Sequence, residues 1–293
     1  MFCCSSDSDG VVKVWSFSPE IRTVHSFVFK FGVFAIHWAR KVDKLLYVGT
    51  GNSKIKIVNI ANRKIAQEFT HPTPNLDIFA IASNLMGNHL VTSGVTKARD
   101  DCELLVWDTK TQKVISTLDI SPAPSPILSC HYNHNGNLLV TGAVDGMIRV
   151  YDMTEYQCVM GWQAHSTPIV TVMFSVDENS VFSFGEEGTL SQWRLYPMSQ
   201  CISSVTGNAC TGLAEGVMRG SMFALDNGGH YVLVARDDRA VIYSIKGGLK
   251  EDSCLPSQGS AVMGVDWHVP YSTRLCMTAT QGGVARITGL LCS

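Results

Sequence analysis

One hairpin pattern occurs twice in succession between residues 135 and 193. Each copy has an apolar run, a tight polar turn at Asp145-Gly146 or Glu187-Gly188, and a second alternating run that ends on an aromatic residue. Alternation at period two on both sides of such a turn predicts paired β-strands, because successive side chains of a strand point to opposite faces. The closing aromatic residues, Tyr151 and Trp193, lie about 40 residues apart, which is typical of repeat architectures.

Seven copies of this unit can be aligned along the chain. The residues that close the second hairpin strand are Trp15, Val58, Trp107, Tyr151, Trp193, Tyr243 and Ile287. Six positions before them stand the polar residues Asp9, Asn52, Asp101, Asp145, Glu187, Asp237 and Gln281. Turns favour short polar side chains that bond their own backbone. The second series therefore supports the alignment independently of the first.

The repeat resembles that of the WD-repeat β-propeller family. Trp107-Asp108 carries the signature dipeptide of the family, and Tyr151-Asp152 is a variant of it. In this family each repeat supplies one four-stranded blade, which gains burial by stacking on its neighbours. The resemblance implies an all-β fold, a seven-bladed β-propeller in which residues 1–293 form a single domain.

The alternating pattern also predicts inner strands in six of the seven repeats. They are expected near residues 33–38, 78–83, 127–132, 169–174, 222–226 and 262–267. The first blade is expected to lack its inner strand and the last blade its closing outer strand. We therefore expect unpaired sheet edges at both blades and interpret the chain as a fragment or a shortened gene product.

Composition excludes several classes of protein. The chain has 23 Lys and Arg against 25 Asp and Glu, a net charge of −2, so no overall field favours nucleic acid or an anionic membrane. The 10 cysteines are scattered without a Cys-x-x-Cys pair, which favours buried, reduced thiols. The sequence shows no signal-peptide pattern and no apolar run long enough to cross a bilayer, so we expect a cytoplasmic protein that is not transmembrane.

Four residues of the fifth repeat are candidates for a hydrogen-bonded network. His165, Ser183 and Trp193 occupy the places of the family's His, Ser/Thr and Trp, with Glu187 where the family has Asp. In the seventh repeat, Gln258 occupies the place of the His. The resemblance implies a structural network inside the blade. A Ser/His/acid set can also serve hydrolysis, but the Gly-x-Ser-x-Gly pattern of a nucleophile elbow is absent.

The sequence predicts no catalytic residue, no metal ligand and no cofactor site. His131 and His134 lie three residues apart, so on a strand their side chains point to opposite faces and do not share one metal ion. The segment from Asp7 to Gly10 begins like a calcium loop, but the distal Glu is missing. No phosphate-binding glycine loop occurs.

Charged residues at two hairpin ends are candidates for a partner-binding rim, because these ends share one side of a propeller. They are Lys97, Arg99, Asp101, Arg236, Asp237 and Arg239. Mixed charges suit protein recognition by steering and register. They equally suit solubility, and the sequence does not decide between the two roles.

The fourth and fifth repeats resemble a propeller protein of endosomes most strongly, through residues 132–153, 162–165 and 174–188. This resemblance implies a non-enzymatic scaffold, peripheral on early and late endosome membranes through its partners. The implied partners are a late-endosomal Rab-type small GTPase and the class III phosphatidylinositol 3-kinase complex, whose activity it would restrain. A generic adaptor and a reader of modified peptides are alternatives. Direct phosphoinositide binding through a Phe-Arg-Arg-Gly motif is disfavoured, because no two arginines are adjacent.

Overall fold

A computed structural model gives the structure of the chain. It describes residues 2–16, 22–39, 44–96, 102–197, 199–208, 220–268 and 274–290. These residues form strands and turns and contain no helix. The described part of the chain therefore offers no helix long and apolar enough to cross a membrane.

The strands follow one another with short connections. In chain order they are β1 (Phe2–Ser6), β2 (Val11–Ser16), β3 (Arg22–Val28), β4 (Val33–Trp38), β5 (Leu45–Thr50), β6 (Lys54–Asn59), β7 (Lys64–Thr70), β8 (Leu76–Ser83), β9 (His89–Thr96), β10 (Cys102–Asp108), β11 (Lys113–Leu118), β12 (Ile127–Tyr132), β13 (Leu138–Ala143), β14 (Met147–Asp152), β15 (Gln157–Gln163), β16 (Ile169–Phe174), β17 (Ser180–Gly185), β18 (Thr189–Arg194), β19 (Gln200–Thr206), β20 (Phe223–Leu225), β21 (Tyr231–Arg236), β22 (Arg239–Ser244), β23 (Lys250–Cys254), β24 (Val262–His268), β25 (Arg274–Thr280) and β26 (Ala285–Leu290).

The strands form seven sheets, each made of strands that are consecutive in the sequence. Five sheets have four strands, beginning at β4, β8, β12, β16 and β20. In the described residues, the first sheet (β1 to β3) and the seventh (β24 to β26) have three strands each. The predicted all-β, seven-bladed β-propeller class is confirmed. That the chain is a fragment, and that it forms one domain, remain predictions.

The predicted inner strands correspond to β4, β8, β12, β16, β20 and β24. The main difference is β20, which covers three residues, Phe223–Leu225, instead of the predicted 222–226. Its end is set by Asp226, whose carboxylate accepts the backbone N–H groups of His230 and Tyr231 over 2.7 and 2.8 Å. Asp226 therefore caps the next turn rather than extending the strand.

A register shift recurs where the strand that carries the closing residue pairs with the strand that follows it in the sequence. It falls immediately before Trp15, Val58, Trp107, Trp193 and Tyr243. A β-bulge at such a point bends the strand and increases its twist. The closing residue of the sequence repeat is therefore also a fixed point of the backbone.

The chain divides into two compact units. They are residues 1–144 with 149–161, and residues 145–148 with 162–293. In the first unit, β10 contributes side chains to two hydrophobic cores. Leu104 and Val106 belong to one core, and Leu105 and Trp107 belong to the other. In the second unit, one core surrounds β21 and β22. Sheets that are buried on both faces explain why such strands are apolar at nearly every position.

The described cysteines are free thiols, but they are not all buried as expected. Cys276 is buried, whereas Cys158, Cys201 and Cys254 are exposed. These three lie on β15, β19 and β23, the fourth strands of their sheets. The expectation of burial is wrong for them because a fourth strand is packed on fewer sides than an inner one. Cys210 and Cys292 lie outside the described residues.

Gly94 on β9 is expected to be required for packing. A Cβ atom there would lie 2.6 Å from the carbonyl oxygen of Asp77 and would collide with the side chain of Leu76. Gly94→Ala should lower the free energy of unfolding by about 1 to 3 kcal/mol through overpacking. The measurement is denaturant or thermal unfolding. The control is Gly289→Ala on β26, where the nearest atom, on Leu275, would lie 3.8 Å away; equal destabilisation by both changes would contradict the prediction.

Candidate functional site

The structure brings the four network residues of the fifth sheet together. His165 Nδ1 lies 2.5 Å from Glu187 Oε1, and His165 Nε2 lies 2.7 Å from Ser183 Oγ. Trp193 Nε1 donates to the same Ser183 oxygen over 2.9 Å. In the tautomer that donates from Nδ1 to the carboxylate, Nε2 accepts a hydrogen bond from the Ser183 hydroxyl. The hydrogen bonds therefore run in one direction, from the indole to the carboxylate.

The surrounding backbone holds the imidazole in place. The carbonyl oxygen of His165 accepts a hydrogen bond from Gln163 Nε2 over 2.7 Å, and the same Nε2 donates to the carbonyl of Asp145 over 2.8 Å. The His165 N–H donates to the Gly146 carbonyl over 3.1 Å. At Gly185, a Cβ atom would lie 2.6 Å from His165 Nδ1. The glycine therefore makes room for the ring.

The arrangement has no open approach for a substrate. Ser183 is 0% exposed and His165 is 5% exposed. The Trp193 and His165 rings are nearly perpendicular, with ring centroids 6.4 Å apart. A nucleophilic serine must reach its substrate with its base in hydrogen-bond range. Ser183 is instead enclosed between His165 and Trp193. The network therefore has a structural role, in which it links the turn at Glu187 to the strands of the fifth sheet.

A partial version of the network lies in the third sheet, which the sequence analysis did not identify. Trp107 Nε1 donates to Thr92 Oγ1 over 2.8 Å. His71 Nδ1 accepts the Thr73 N–H over 3.2 Å and lies 3.7 Å from Glu103 Oε2. Thr92 and Trp107 are further apart in the sequence than Ser183 and Trp193, because the connection between β9 and β10 is long. The family spacing is therefore not visible in the sequence of the third repeat.

Gln258, which was predicted to replace the histidine in the seventh repeat, is buried and hydrogen-bonded. Gln258 is 8% exposed, and its Oε1 accepts the Thr278 hydroxyl over 3.4 Å. Its Nε2 donates to the Pro256 carbonyl over 2.7 Å. An amide thus bonds the second strand where the fifth sheet uses an imidazole.

Arg236 is buried, so its assignment to an exposed binding rim is wrong. Its side chain lies over the rings of Phe184 and Tyr243, with the guanidinium carbon 5.4 and 5.8 Å from their centroids. The guanidinium donates to the carbonyl oxygen of Gly188 and, over 3.3 Å, to that of Val205. Stacking and carbonyl bonds keep the cation inside, where it links β21 to the preceding sheet.

The other predicted rim residues of this turn are partly or fully exposed. Asp237 is half-buried and accepts a hydrogen bond from Asn208 Nδ2 over 3.0 Å. Arg239 is exposed and lies 3.2 Å from Asp238 Oδ1. The Ser257 hydroxyl and then Arg239 lower the pKa of Asp238.

Lys97, Arg99 and Asp101, the remaining candidates for the rim, lie outside the described residues. The described part of the rim therefore consists of one charged turn, from Asp237 to Arg239.

A cavity of about 400 Å³ lies in the first unit. Its lining includes Cys102, Glu103, Asp119, Ser121 and Pro122. Both carboxylates are engaged, because Glu103 accepts the Thr73 hydroxyl and Asp119 accepts the Ser121 hydroxyl. Among the described residues, no group of three or more His, Cys, Asp or Glu is placed to hold a metal ion.

The fold and the network define the class of protein. The family model for the WD domain, G-beta repeat, matches residues 112–152. Together with the seven sheets, this match places the chain in the WD-repeat β-propeller family.

The chain is similar to proteins named WD repeat-containing protein 91. It is 35% identical over 98% of its length to the one from Pongo abelii and 34% identical over 98% to the one from Gallus gallus. The WD repeat-containing protein 91 homolog of Dictyostelium discoideum is 36% identical over 67% of the chain. The chain spans less than half the length of these curated relatives, at 45%, 42% and 25% respectively.

Ser183→Ala is expected to destabilise the protein strongly. The change leaves the Trp193 N–H and His165 Nε2 without partners in a buried site, which should lower the free energy of unfolding by about 2 to 4 kcal/mol. Ser183→Thr keeps the hydroxyl and should retain more stability than Ser183→Ala. Thr189→Ala, which removes an exposed hydroxyl in the same sheet, should change stability by less than about 0.5 kcal/mol. Similar losses from Ser183→Ala and Thr189→Ala would argue against the network.

His71 should make stability dependent on pH. Burial lowers its pKa below the ordinary 6.5, more than the nearby Glu103 raises it. As the pH falls through about 6.5, the unfolded chain takes up a proton that the folded chain still excludes, so stability should fall. Unfolding of the wild type and of His71→Gln at about pH 7.5 and about pH 5.5 tests this, because the glutamine does not titrate. The variant should lose less stability between the two pH values, and an identical loss would refute the prediction.

Proposed function

We propose that this chain is a non-enzymatic protein-interaction scaffold that binds a late-endosomal Rab-type small GTPase. Through this contact and a contact with the class III phosphatidylinositol 3-kinase complex, it restrains production of phosphatidylinositol 3-phosphate during early-to-late endosome transport. It acts in the cytoplasm, peripherally on early and late endosome membranes. Membership of the WD-repeat family and similarity over 98% of the chain to WD repeat-containing protein 91 support this proposal.

The observation that supports a scaffold role is that the potentially reactive side chains of the fifth sheet are buried and bonded to one another. The fifth sheet contains a serine, a histidine and a carboxylate in hydrogen-bond order, yet the serine is 0% exposed and bonded to Trp193. These groups stabilise the sheet instead of presenting a nucleophile to solvent. The short turns of a rigid set of sheets are then the parts available to partners.

The turn between β21 and β22 is the described element best suited to a protein contact. Asp237 is bonded by Asn208, and Asp238 is bonded by the Ser257 hydroxyl and paired with Arg239. These contacts come from segments on both sides of the turn, so its charges are fixed in position. Charges held in fixed positions steer a partner and set its register, and they lose little side-chain entropy on binding.

The experiment measures binding of this chain to the purified GTPase loaded with GTP or with GDP, by titration calorimetry. Preferential binding to the GTP form is expected. Arg239→Glu reverses a charge on the turn and should weaken binding by about fivefold, mainly through slower association. Lys250→Glu, at the opposite end of the same sheet, is the matched control and should bind like the wild type. Equal binding to both nucleotide forms, or none, would refute the GTPase assignment.

A further inference from the structure

One end of the second sheet carries a group of exposed cations. Strand pairing places Leu45, Asn59 and Lys64 side by side across β5, β6 and β7. Lys44 precedes Leu45, and its carbonyl oxygen accepts the Ile60 N–H over 2.7 Å. Arg63 precedes Lys64 in the turn between β6 and β7. Lys44, Arg63 and Lys64 therefore project from the same end of this sheet, and all three are exposed.

The neighbouring sheet adds another cation at the same end. A short connection, residues 29–32, joins the far end of β3 to the start of β4, and β4 leads back towards Lys44. Arg22, the first residue of β3, consequently lies at the end where Lys44 lies, and it is exposed. Arg63 is close enough to β3 that its charge, after burial, lowers the pKa of His25. We call Arg22, Lys44, Arg63 and Lys64 the basic surface.

The basic surface has no carboxylate within ion-pair distance among the residues that the structure describes. The other lysines of this sheet behave differently. Lys54 and Lys56 lie 3.0 and 2.6 Å from the two oxygens of Glu68. Among the described residues, the sheet thus pairs Lys54 and Lys56 with a carboxylate, whereas the cations at its other end have none within ion-pair distance.

The turn that carries Arg63 is capped by a neutral side chain. Asn59 Oδ1 accepts the N–H groups of Ala61 and Asn62 over 2.9 and 3.3 Å. At the corresponding place in the third sheet, Asp108 Oδ1 accepts those of Lys110 and Thr111 over 2.7 and 2.9 Å. In the fourth sheet Asp152 makes the same cap. The second sheet therefore keeps the geometry of the cap but omits its negative charge.

An exposed apolar side chain lies in a turn of the third sheet that contacts the second sheet. Met86, 64% exposed, lies in the turn between β8 and β9 of the third sheet. The next residue, Gly87, accepts the hydroxyl of Tyr47 from the second sheet over 3.5 Å. The first unit thus presents a flexible thioether chain in addition to these cations.

We propose that the basic surface docks on the anionic face of a lipid membrane. The cations come from separate strands and turns of two neighbouring sheets. A spread of this kind suits many diffuse charges better than one phosphate group. Each Lys or Arg near an anionic bilayer adds attraction within a Debye length, and an apolar side chain such as Met86 can enter the headgroup layer. The net charge of −2 gives the protein no general attraction to such a surface, so this local group orients the contact.

The test is co-sedimentation of the chain with phosphatidylcholine vesicles containing about 30% phosphatidylserine, compared with pure phosphatidylcholine vesicles. We expect binding to the anionic vesicles only, weakening as salt is raised. Asn59→Asp, which preserves the cap, should weaken binding by about fivefold, the effect of one lost charge. Arg63→Glu with Lys64→Glu should weaken it by more than about tenfold.

The matched control is Lys113→Glu. Lys113 pairs with Asp108 in the third sheet as Lys64 pairs with Asn59 in the second, so the same charge change is made beside a carboxylate. Lys113→Glu should weaken binding to the anionic vesicles by less than Lys64→Glu does. Far-ultraviolet circular dichroism and thermal unfolding check that each variant is folded.

Three results would overturn the proposal. They are equal binding to neutral and anionic vesicles, equal loss from Lys113→Glu and Lys64→Glu, and binding to soluble polyglutamate without binding to vesicles, which would identify an acidic protein as the partner. The assay contains no GTPase, so its failure leaves the proposed GTPase contact standing, and failure of that contact leaves this proposal standing.

Discussion

Burial of both faces of a sheet between its neighbours is the constraint on which the structure depends. In β10, Leu104 and Val106 enter one core while Leu105 and Trp107 enter another. A four-stranded sheet with two apolar faces is not stable alone, because water would contact one of them. Repetition of the same hairpin supplies the neighbouring sheets.

The same requirement determines where polar groups are found. Inside the sheets, a polar side chain persists only with partners, as in the chain from Trp193 through Ser183 and His165 to Glu187. Arg236 follows this rule as a buried cation between two aromatic rings and two carbonyl oxygens. What remains for recognition is the ends of the sheets. There the charges of the turn from Asp237 to Arg239 are bonded in place, whereas those of Arg63 and Lys64 are left without carboxylates among the described residues.

Much of the fold followed from local patterns. The closing residues, such as Trp15 and Trp193, fall directly after a register shift between their own strand and the next one. Period-two alternation and polar turns depend on neighbours along the chain, so the sequence displays them. The fifth-sheet residues His165 and Ser183 could be identified because their spacing follows the family pattern. The third-sheet pair of Thr92 and Trp107 was missed because a longer connection between β9 and β10 changes that spacing.

The sequence alone determined the repeat, the class of fold and the residues able to form a network within one sheet, since these depend on short-range alternation and turn chemistry. Only the tertiary structure decided which charged residues are available at the surface. Arg236 and Arg239 belong to the same short charged segment, yet one is stacked between rings and the other is exposed. Likewise, the neutral cap Asn59 matters for charge only because Lys44, Arg63 and Lys64 lie at the same end of the sheet. Burial and electrostatic environment are set by groups distant in the chain, so sequence patterns do not report them.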